Sequence, residues 1–181
     1  MINKINNDEH RETKNEFVIR EVEEKDMQDI CDLHARCRKE NFKWFLGWDY
    51  LKDFWKEPMW RRKHILEKKD EGKYAMFVYE KWWKILWFID WWPSYDENYD
   101  FKIPWFYVDP NSQREWIWRK IWEYLLNSEY FKNQRSFYLR TFRDNLVWGN
   151  FYKKMWGRIV NEKKESFGEK EYELVCYARK K

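Results

Sequence analysis

The chain has 181 residues, which is the size of one ordinary domain and is long enough to enclose a single hydrophobic core. Its 36 Lys and Arg against 32 Asp and Glu give a formal net charge of +4, spread along the chain, so nucleic-acid binding is not predicted. The most apolar stretch, Trp82 to Trp92, is too short to span a bilayer and is interrupted by Lys84 and Asp90. A membrane-spanning protein is therefore excluded.

The first residues and the cysteines indicate the cellular compartment of the protein. Residues 1–16 are polar and charged without an apolar segment, so we interpret them as a flexible tail and not as a signal peptide. Cys31, Cys37 and Cys176 are odd in number and lack metal-ligand spacing, which predicts neither a disulfide framework nor a zinc site. We expect a cytoplasmic protein without a metal.

Tryptophan is unusually frequent and glycine unusually rare. The chain has 15 Trp and 5 Gly, whereas glycine averages about 7% of residues. Trp82 and Trp83 separate two strand-like runs, where a tight hairpin needs residues that tolerate positive φ. Trp91 and Trp92 come before another expected turn, and Trp156 follows a helix where glycine is common. We hypothesise that many tryptophans stand at glycine positions, as would follow if a codon that the source organism reads as glycine had been translated as tryptophan.

The predicted elements of the first half are one strand, two helices and a hairpin. Alternation in Phe17–Arg20 predicts the strand, and apolar spacing in Glu24–Glu40 predicts an amphipathic helix. Asp49–Lys68 is a second helical stretch. Tyr74–Glu80 and Lys84–Asp90 then predict the hairpin.

A third strand and a helix follow the hairpin. Tyr99–Val108 is the strand, and its Pro104 indicates a bulge or an edge. Asp109–Ser112 predicts a turn, which leads into a helix. The apolar stripe of that helix consists of Ile117, Ile121, Tyr124, Leu125 and Tyr130.

The last elements complete a mixed sheet. Phe137–Thr141 predicts a strand, Asn145–Met155 a short helix, and Arg158–Ser166 with Glu171–Ala178 a final hairpin. Strands that first pair in hairpins and then connect through helices predict an α/β (α+β) fold. We expect a three-layer sandwich, with a mostly antiparallel sheet of six to seven strands and helices on both faces.

The segment Tyr107 to Lys120 reads YVDPNSQREWIWRK. It resembles the acetyl-CoA loop of the GNAT superfamily of N-acetyltransferases, whose pattern is Q/RxxGxG/A. The matching positions are Gln113 and Arg114 at the opening, Ile117 in the centre, Arg119 as the basic follower, and Trp116 and Trp118 at both small-residue positions. Backbone amides at a helix start bind a pyrophosphate, and large side chains keep the phosphates away. The two indoles are therefore expected to oppose binding.

Two further segments extend the resemblance over nearly the whole chain. Asn145 to Trp156 resembles the family pattern NxxAxxFYxKxGF, with Phe151, Tyr152 and Lys154 in place. Phe17–Arg20 followed by Asp26 resembles the family's opening IRxxxxxD, and the last predicted hairpin agrees with the family's final strands. The resemblance implies one GNAT-like acetyltransferase domain over residues 17–181.

The family's chemistry implies roles for particular residues. An acetyl group would pass from acetyl-CoA to a primary amine by direct attack in a ternary complex, without a metal. Tyr152 would protonate or hold the departing thiolate, or else is a packed core tyrosine. Asn145 would bind the pantetheine arm, or else is the N-cap of its helix. The other residues expected to contact acetyl-CoA are Tyr107, Val108, Gln113, Arg114, Trp116, Ile117, Trp118 and Arg119.

The general base and the acceptor remain open at this point. Many relatives carry glutamate on the fourth strand where this chain has Lys102, which leaves Asp90, Asp100 or Tyr107, or no base at all if the amine is partly neutral. Acidic residues near the expected acceptor cleft, which attract an amine or are merely solvated, are Glu40, Asp49 and Glu169. The acceptor would be a small-molecule amine or a protein amino group, and the chain would act alone or as a homodimer.

The alternative to an enzyme is a non-catalytic module. Exposed aromatic side chains with basic neighbours suit stacking on bases or binding of a hydrophobic partner. An inactive GNAT-like protein is a second alternative, since tryptophan replaces both loop glycines. Affinity for acetyl-CoA distinguishes these alternatives from the enzyme.

Overall fold

The structure of the protein is a computed structural model that describes residues 17–46, 59–69, 74–113, 116–132, 136–156, 158–167 and 169–180. The predicted tail, residues 1–16, lies outside the described residues. The strands are β1 (Phe17–Glu21), β2 (Ala75–Lys81), β3 (Lys84–Pro93), β4 (Phe101–Lys102), β5 (Phe106–Val108), β6 (Ser136–Phe142), β7 (Arg158–Phe167) and β8 (Lys170–Lys180). The α-helices are α1 (Met27–Phe42), α2 (Met59–Lys69), α3 (Trp116–Asn127), α4 (Glu129–Lys132) and α5 (Leu146–Trp156). Within the described ranges, no helix is both long and apolar enough to cross a bilayer.

The strands form one sheet in the order β1-β2-β3-β4-β6-β8-β7, and β5 also pairs with β3. Every pairing is antiparallel except that of β4 with β6. The prediction of a mixed, mostly antiparallel sheet is confirmed. The strand count rises to eight because the predicted strand Tyr99–Val108 is divided into β4 and β5 around Pro104.

Helices cover both faces of the sheet. On one face, α3 and α5 bury residues such as Ile121 and Trp148 against β3 residues that include Trp87. On the other face, α1 and α2 bury Ile30 and Ile65 against β2 and β3. The three-layer prediction is confirmed, since each amphipathic helix lays its apolar stripe on the sheet.

Two local predictions differ from the structure. The predicted end of the strand at Asp90 is wrong, because β3 continues to Pro93, Trp92 pairs with Lys102 of β4, and the turn comes later, at residues 95–98. In α3, Tyr124 is 40% exposed whereas Trp122 is buried, so the apolar stripe is turned slightly from its predicted position. The second helix begins at Met59 among the described residues, and its predicted beginning from Asp49 lies outside them.

The turn between β2 and β3 has a rare backbone conformation. Trp82 has φ 53° and Trp83 has φ 63°, and their side chains are 71% and 83% exposed. Two consecutive positive φ values define the hairpin turn that matches the twist of the strands and favours Asn and Gly. The predicted tight hairpin is confirmed, with tryptophan at both positions.

The opening motif anchors β1 to the start of α1. The Arg20 guanidinium donates to both Asp26 carboxylate oxygens at 2.6 and 2.9 Å, and to Glu80 of β2 at 2.7 and 3.0 Å. The Glu23 backbone N–H donates to Asp26 at 2.8 Å. Burial alone would raise the pKa of Asp26, but the hydrogen bonds from Arg20 and Glu23 outweigh it and lower that pKa. This motif therefore has a structural role.

Candidate active site

A gap opens in the middle of the sheet where β4 ends. Residues Phe101 and Lys102 of β4 pair with β6, and the Ile103 N–H still donates to the Tyr138 carbonyl at 2.9 Å. Pro104 follows, and the chain leaves the β6 ladder at this residue before β5 begins at Phe106. Among the described residues, β5 pairs only with β3. The strands β5 and β6 therefore separate, and the edge of β5 that faces β6 has no strand partner.

A cleft of about 380 Å³ lies at this gap. It is lined by β5 and β6, by Arg38, Asn41 and Phe42 from α1, and by Trp148 and Tyr152 from α5. Because α1 and α5 lie on opposite faces of the sheet, the cleft is reached from both helix layers. A ligand that enters from one face can meet a ligand that enters from the other.

Tyr152 is the most deeply buried hydroxyl group of the cleft. Its ring lies 5.6 Å from Trp148 and 5.4 Å from Tyr177, measured between ring centroids, and the residue is 5% exposed. Burial raises the pKa of Tyr152 well above its ordinary value, and the nearby Tyr107 and Tyr177 raise it further. The hydroxyl is therefore protonated at neutral pH and can donate a proton or a hydrogen bond.

Two other predicted contact residues line the same cleft. Tyr107 of β5 packs against His34, with ring centroids 4.4 Å apart. Asn145 is buried and immediately precedes α5, and its carbonyl accepts from the Gly149 N–H at 2.9 Å. Its side chain thus stands at the helix start and at the cleft together, so both predicted roles of Asn145 fit its position.

The predicted acetyl-CoA loop is only partly described. The Val108 carbonyl accepts from the Cys37 thiol at 3.1 Å and from the Gln113 amide at 3.3 Å. Gln113 also lines a small cavity of about 50 Å³ beside Trp148. Arg114 lies outside the described residues. The predicted residues at the start of α3, whose side chains lie outside the description, are Trp116, Ile117, Trp118 and Arg119.

The loop before α3 is fixed against α1. The Asp109 carboxylate accepts from the Asn111 N–H at 2.9 Å and pairs with Arg36 of α1 at 3.3 Å. The first N–H groups of a helix have no partners within it, so the start of α3 offers donors to an anion. Gln113 and Trp148 connect this loop to the main cleft.

The residues predicted as candidates for the general base differ in whether they line the cleft. Asp100 accepts from the N–H and the hydroxyl of Ser136 at 2.9 and 3.2 Å, which is a structural role. Asp90 is fully buried in β3, and neither carboxylate lines the cleft. Of the candidates, Tyr107 alone lines it. Lys102 lines a neighbouring cleft instead.

Sequence reasoning missed Glu165 of β7, which lines the cleft and pairs with Lys163. Among the described residues it is the one carboxylate there. The predicted acidic residues are elsewhere, because Glu40 pairs with Lys43, Glu169 is exposed away from the cleft, and Asp49 lies outside the described residues. In the fold, residues 163, 165 and 167 alternate as the less exposed positions of β7, but Lys163 and Glu165 are both charged, so the sequence carries no apolar alternation that would identify Glu165.

Comparison with known proteins finds solved structures with a similar fold but finds no match by sequence. No family model and no curated protein matches the chain. The PaiA N-acetyltransferase from Thermoplasma acidophilum, solved with coenzyme A, has a TM-score of 0.70 at 14% identity over 91% of this chain and 99% of its own.

A ribosomal-protein-alanine N-acetyltransferase from Brucella melitensis has a TM-score of 0.69 at 14% identity, over 90% of this chain and 99% of its own. A spermidine N-acetyltransferase chimera from Vibrio cholerae and hSSAT has a TM-score of 0.63 at 14% identity, over 92% of this chain and 96% of its own. The chain therefore has the GNAT fold of these enzymes.

Proposed function

We propose that the protein is an N-acetyltransferase that moves an acetyl group from acetyl-CoA to a primary amine, with residues 17–181 as its catalytic domain. The observation that carries this proposal is the buried, protonated Tyr152 hydroxyl in a cleft between two separated strands. The fold is shared with acetyltransferases, one of which was solved with coenzyme A.

The gap suits the extended arm of acetyl-CoA. Pantetheine is a linear chain with two amide groups, and the side of β5 that faces β6 forms no strand pairing within the described residues, so an extended arm can lie along it. The volume of about 380 Å³ is within the usual range of ligand pockets. Tyr107 and Asn145 supply further polar groups along the cleft.

The start of α3 suits the pyrophosphate. Backbone N–H groups at a helix start bind phosphate oxygens, and Gln113 and Arg114 precede the helix. Trp116 and Trp118 stand where the family has small residues, and we expect their bulk to weaken binding. Val108, Ile117 and Arg119 complete the proposed contact set.

The transfer needs one proton donor and one acceptor. The amine nitrogen forms a bond to the acetyl carbonyl carbon, the carbon–sulfur bond breaks, and the leaving sulfur takes a proton from the Tyr152 hydroxyl. The amine gives up one proton in exchange. We assign this proton to Glu165, directly or through water, because it is the described carboxylate that lines the cleft.

The proposal is tested by calorimetric titration with acetyl-CoA, followed by measurement of free CoA thiol after primary amines are added. We expect weak acetyl-CoA binding while Trp116 and Trp118 are present. We also expect that CoA is released only when a suitable amine is added. Salt-sensitive oligonucleotide binding without affinity for acetyl-CoA would instead support the non-catalytic module.

A further inference from the structure

A second cleft of about 360 Å³ adjoins the candidate active site. The two clefts share Ile103, Pro104, Leu139 and Arg140 in their linings, so they form one continuous groove. The second cleft begins where β4 and β6 part and extends to Lys102. A molecule that reaches the first cleft along this groove passes these side chains.

Cationic side chains dominate the groove. The Lys102 ammonium lies 4.8 Å from the ring centroid of Trp92 and 4.1 Å from that of Tyr95, and Arg140 lies 5.5 Å from that of Tyr138. In the described part of the chain, neither Lys102 nor Arg140 forms an ion pair with a carboxylate. Burial lowers the pKa of Lys102, and the charge of Arg140 lowers it further.

The acidic residues of the groove already have partners. The Asp96 carboxylate accepts from the backbone N–H and side-chain amide of Asn98 at 3.0 and 2.9 Å. Glu165 pairs with Lys163. Arg38 adds another cation to the wall of the first cleft. A polyamine would meet like charges along this path, whereas an anionic group would be attracted.

We infer that the acceptor is a small primary amine that also carries a carboxylate, with the carboxylate held by Arg140 and Lys102. This inference rests on the proposed acetyl transfer. The shared lining joins the two clefts, so one molecule can place its amine near Tyr152 and its carboxylate near Lys102. Charge-assisted hydrogen bonds to a carboxylate are stronger than neutral ones and favour such an acceptor over its uncharged counterpart.

The test uses amine pairs that differ only by a carboxylate, such as phenylalanine and phenethylamine, with spermidine as a polycation. Acetylation is measured in the full chain and in its Trp116→Gly, Trp118→Gly variant. We expect kcat/KM to be about tenfold or more higher for the amino acid, the effect of one charged hydrogen bond. Arg140→Gln should remove this preference. Arg158→Gln is the matched control, since Arg158 is exposed on β7 and lines neither cleft.

The outcomes separate this inference from the proposed function. CoA release with phenethylamine or spermidine at least equal to that with phenylalanine would overturn the acceptor class and leave acetyl transfer intact. A preference for phenylalanine that survives Arg140→Gln would overturn the assigned carboxylate site. If no amine releases CoA, acetyl transfer itself fails. Direct titration with phenylalanine and phenethylamine then decides whether the groove selects a carboxylate.

A different observation concerns the tryptophans themselves. Trp82 and Trp83 both lie in the left-handed region, with φ of 53° and 63°. In this region the Cβ atom of any residue other than glycine comes too close to the backbone, which strains the conformation. The two side chains are 71% and 83% exposed, so little of either indole is buried. On the adjoining strand β3, the buried indole nitrogens of Trp87, Trp91 and Trp92 have no hydrogen-bond acceptor within the described chain. Buried donors are normally paired.

We propose that residues 82 and 83 are glycine in the protein that the source organism makes. Glycine adopts positive φ without strain, and a Gly-Gly pair suits a two-residue hairpin. The direct test is mass spectrometry of the peptide that contains these positions, from protein made in the source organism. Glycine at both positions supports the proposal, and tryptophan at both overturns it.

Recombinant variants test the conformational argument independently. Trp82→Gly with Trp83→Gly is compared with Trp82→Ala with Trp83→Ala, because alanine removes the indole but keeps Cβ. We expect glycine to raise the folding equilibrium constant about tenfold per site relative to alanine. Trp44→Gly is the control, since Trp44 is 81% exposed and is not among the positive-φ residues. Equal stability of the glycine and alanine variants would overturn the argument from φ.

Discussion

Two neighbouring parts of one sheet differ in how their strands meet. β2 and β3 pair over seven residue pairs and are joined by a two-residue turn. β4 and β6 pair over two and then separate at Pro104. The paired part forms a continuous platform, and the separated part forms a cleft between β5 and β6. The candidate site thus lies where the pairing of β4 with β6 ends.

The cationic residues of the two parts also differ in their partners. On the paired side, Arg20 is saturated by Asp26 and Glu80. On the separated side, Lys102 and Arg140 lie over aromatic rings without a described carboxylate partner. Ion pairs on the paired side stabilise the fold, whereas the cations at the gap are the ones that we propose hold the acceptor. Substitutions on the two sides are therefore expected to affect different quantities.

The largest expected effect is on affinity at the start of α3. We predict that Trp116→Gly with Trp118→Gly strengthens acetyl-CoA binding by roughly two to four orders of magnitude, the worth of two charge-assisted hydrogen bonds. Glycine at a helix start costs up to about 1 kcal/mol per site, so the variant should stay folded. Calorimetric titration measures the change, and Trp44→Gly is the control. Equal affinities, tight or absent, would show that the loop assignment is wrong.

The next effect is on turnover. We predict that Tyr152→Phe, in the background that binds acetyl-CoA, leaves affinity unchanged and lowers kcat about a hundredfold, because only the proton donor is lost. Tyr177→Phe removes a neighbouring hydroxyl and should have a smaller effect. Since burial raises the pKa of Tyr152, kcat should not fall through its ionisation below about pH 10, the ordinary tyrosine value. Unchanged turnover would remove Tyr152 from catalysis.

A stability effect is expected on the paired side. Asp26→Asn should lower the free energy of unfolding by about 2 kcal/mol at pH 7, since it removes a charged acceptor of Arg20. Asp29→Asn, at an exposed position of α1, is the matched control. Because the pKa of Asp26 is lowered in the fold, its contribution is present above about pH 4, the ordinary aspartate value, and is lost as pH falls through the folded pKa.

Denaturant unfolding at a series of pH values measures this contribution. The difference between the parent and Asp26→Asn should shrink toward acid pH. A difference that is constant down to about pH 2 would contradict the assigned role of the Asp26 charge.

The smallest expected effect is at Gly149 of α5. A Cβ there would lie 3.1 Å from the Tyr177 hydroxyl oxygen, so that side-chain end must shift by a few tenths of an ångström. Alanine gains about 1 kcal/mol of helix propensity over glycine, which offsets the shift. We predict a change within about 1 kcal/mol for Gly149→Ala, with exposed Asn150→Ala as its control. A loss above about 3 kcal/mol would mean that Tyr177 has no room to move.

The sequence predicted what depends on local patterns. Apolar spacing located the helices, and alternation located the hairpin strands. Pro104 marked the interruption between β4 and β5. Tyr152, Asn145 and Tyr107 were identified through the family resemblance, and they do line one cleft.

The features that the sequence did not predict depend on contacts between elements that are far apart along the chain. Arg38, Arg140 and Glu165 come from three separate elements, and nothing local to each indicates that they line the same groove. Charged residues on strands look solvent-exposed until their neighbours are known. The continuation of β3 through Trp91 and Trp92 was missed for the same reason, because β4 supplies the pairing.

The central claim is that the gap between β5 and β6 receives acetyl-CoA. Thr141 of β6 is half-buried and lines that gap, so Thr141→Trp should fill it. The controls are Thr141→Val, which keeps the size of the side chain, and Ile159→Trp, at a 40% exposed position of β7. All three are made in the Trp116→Gly, Trp118→Gly protein and titrated with acetyl-CoA after circular dichroism confirms folding. We predict that Thr141→Trp alone loses binding; affinity equal to that of the controls would contradict the account.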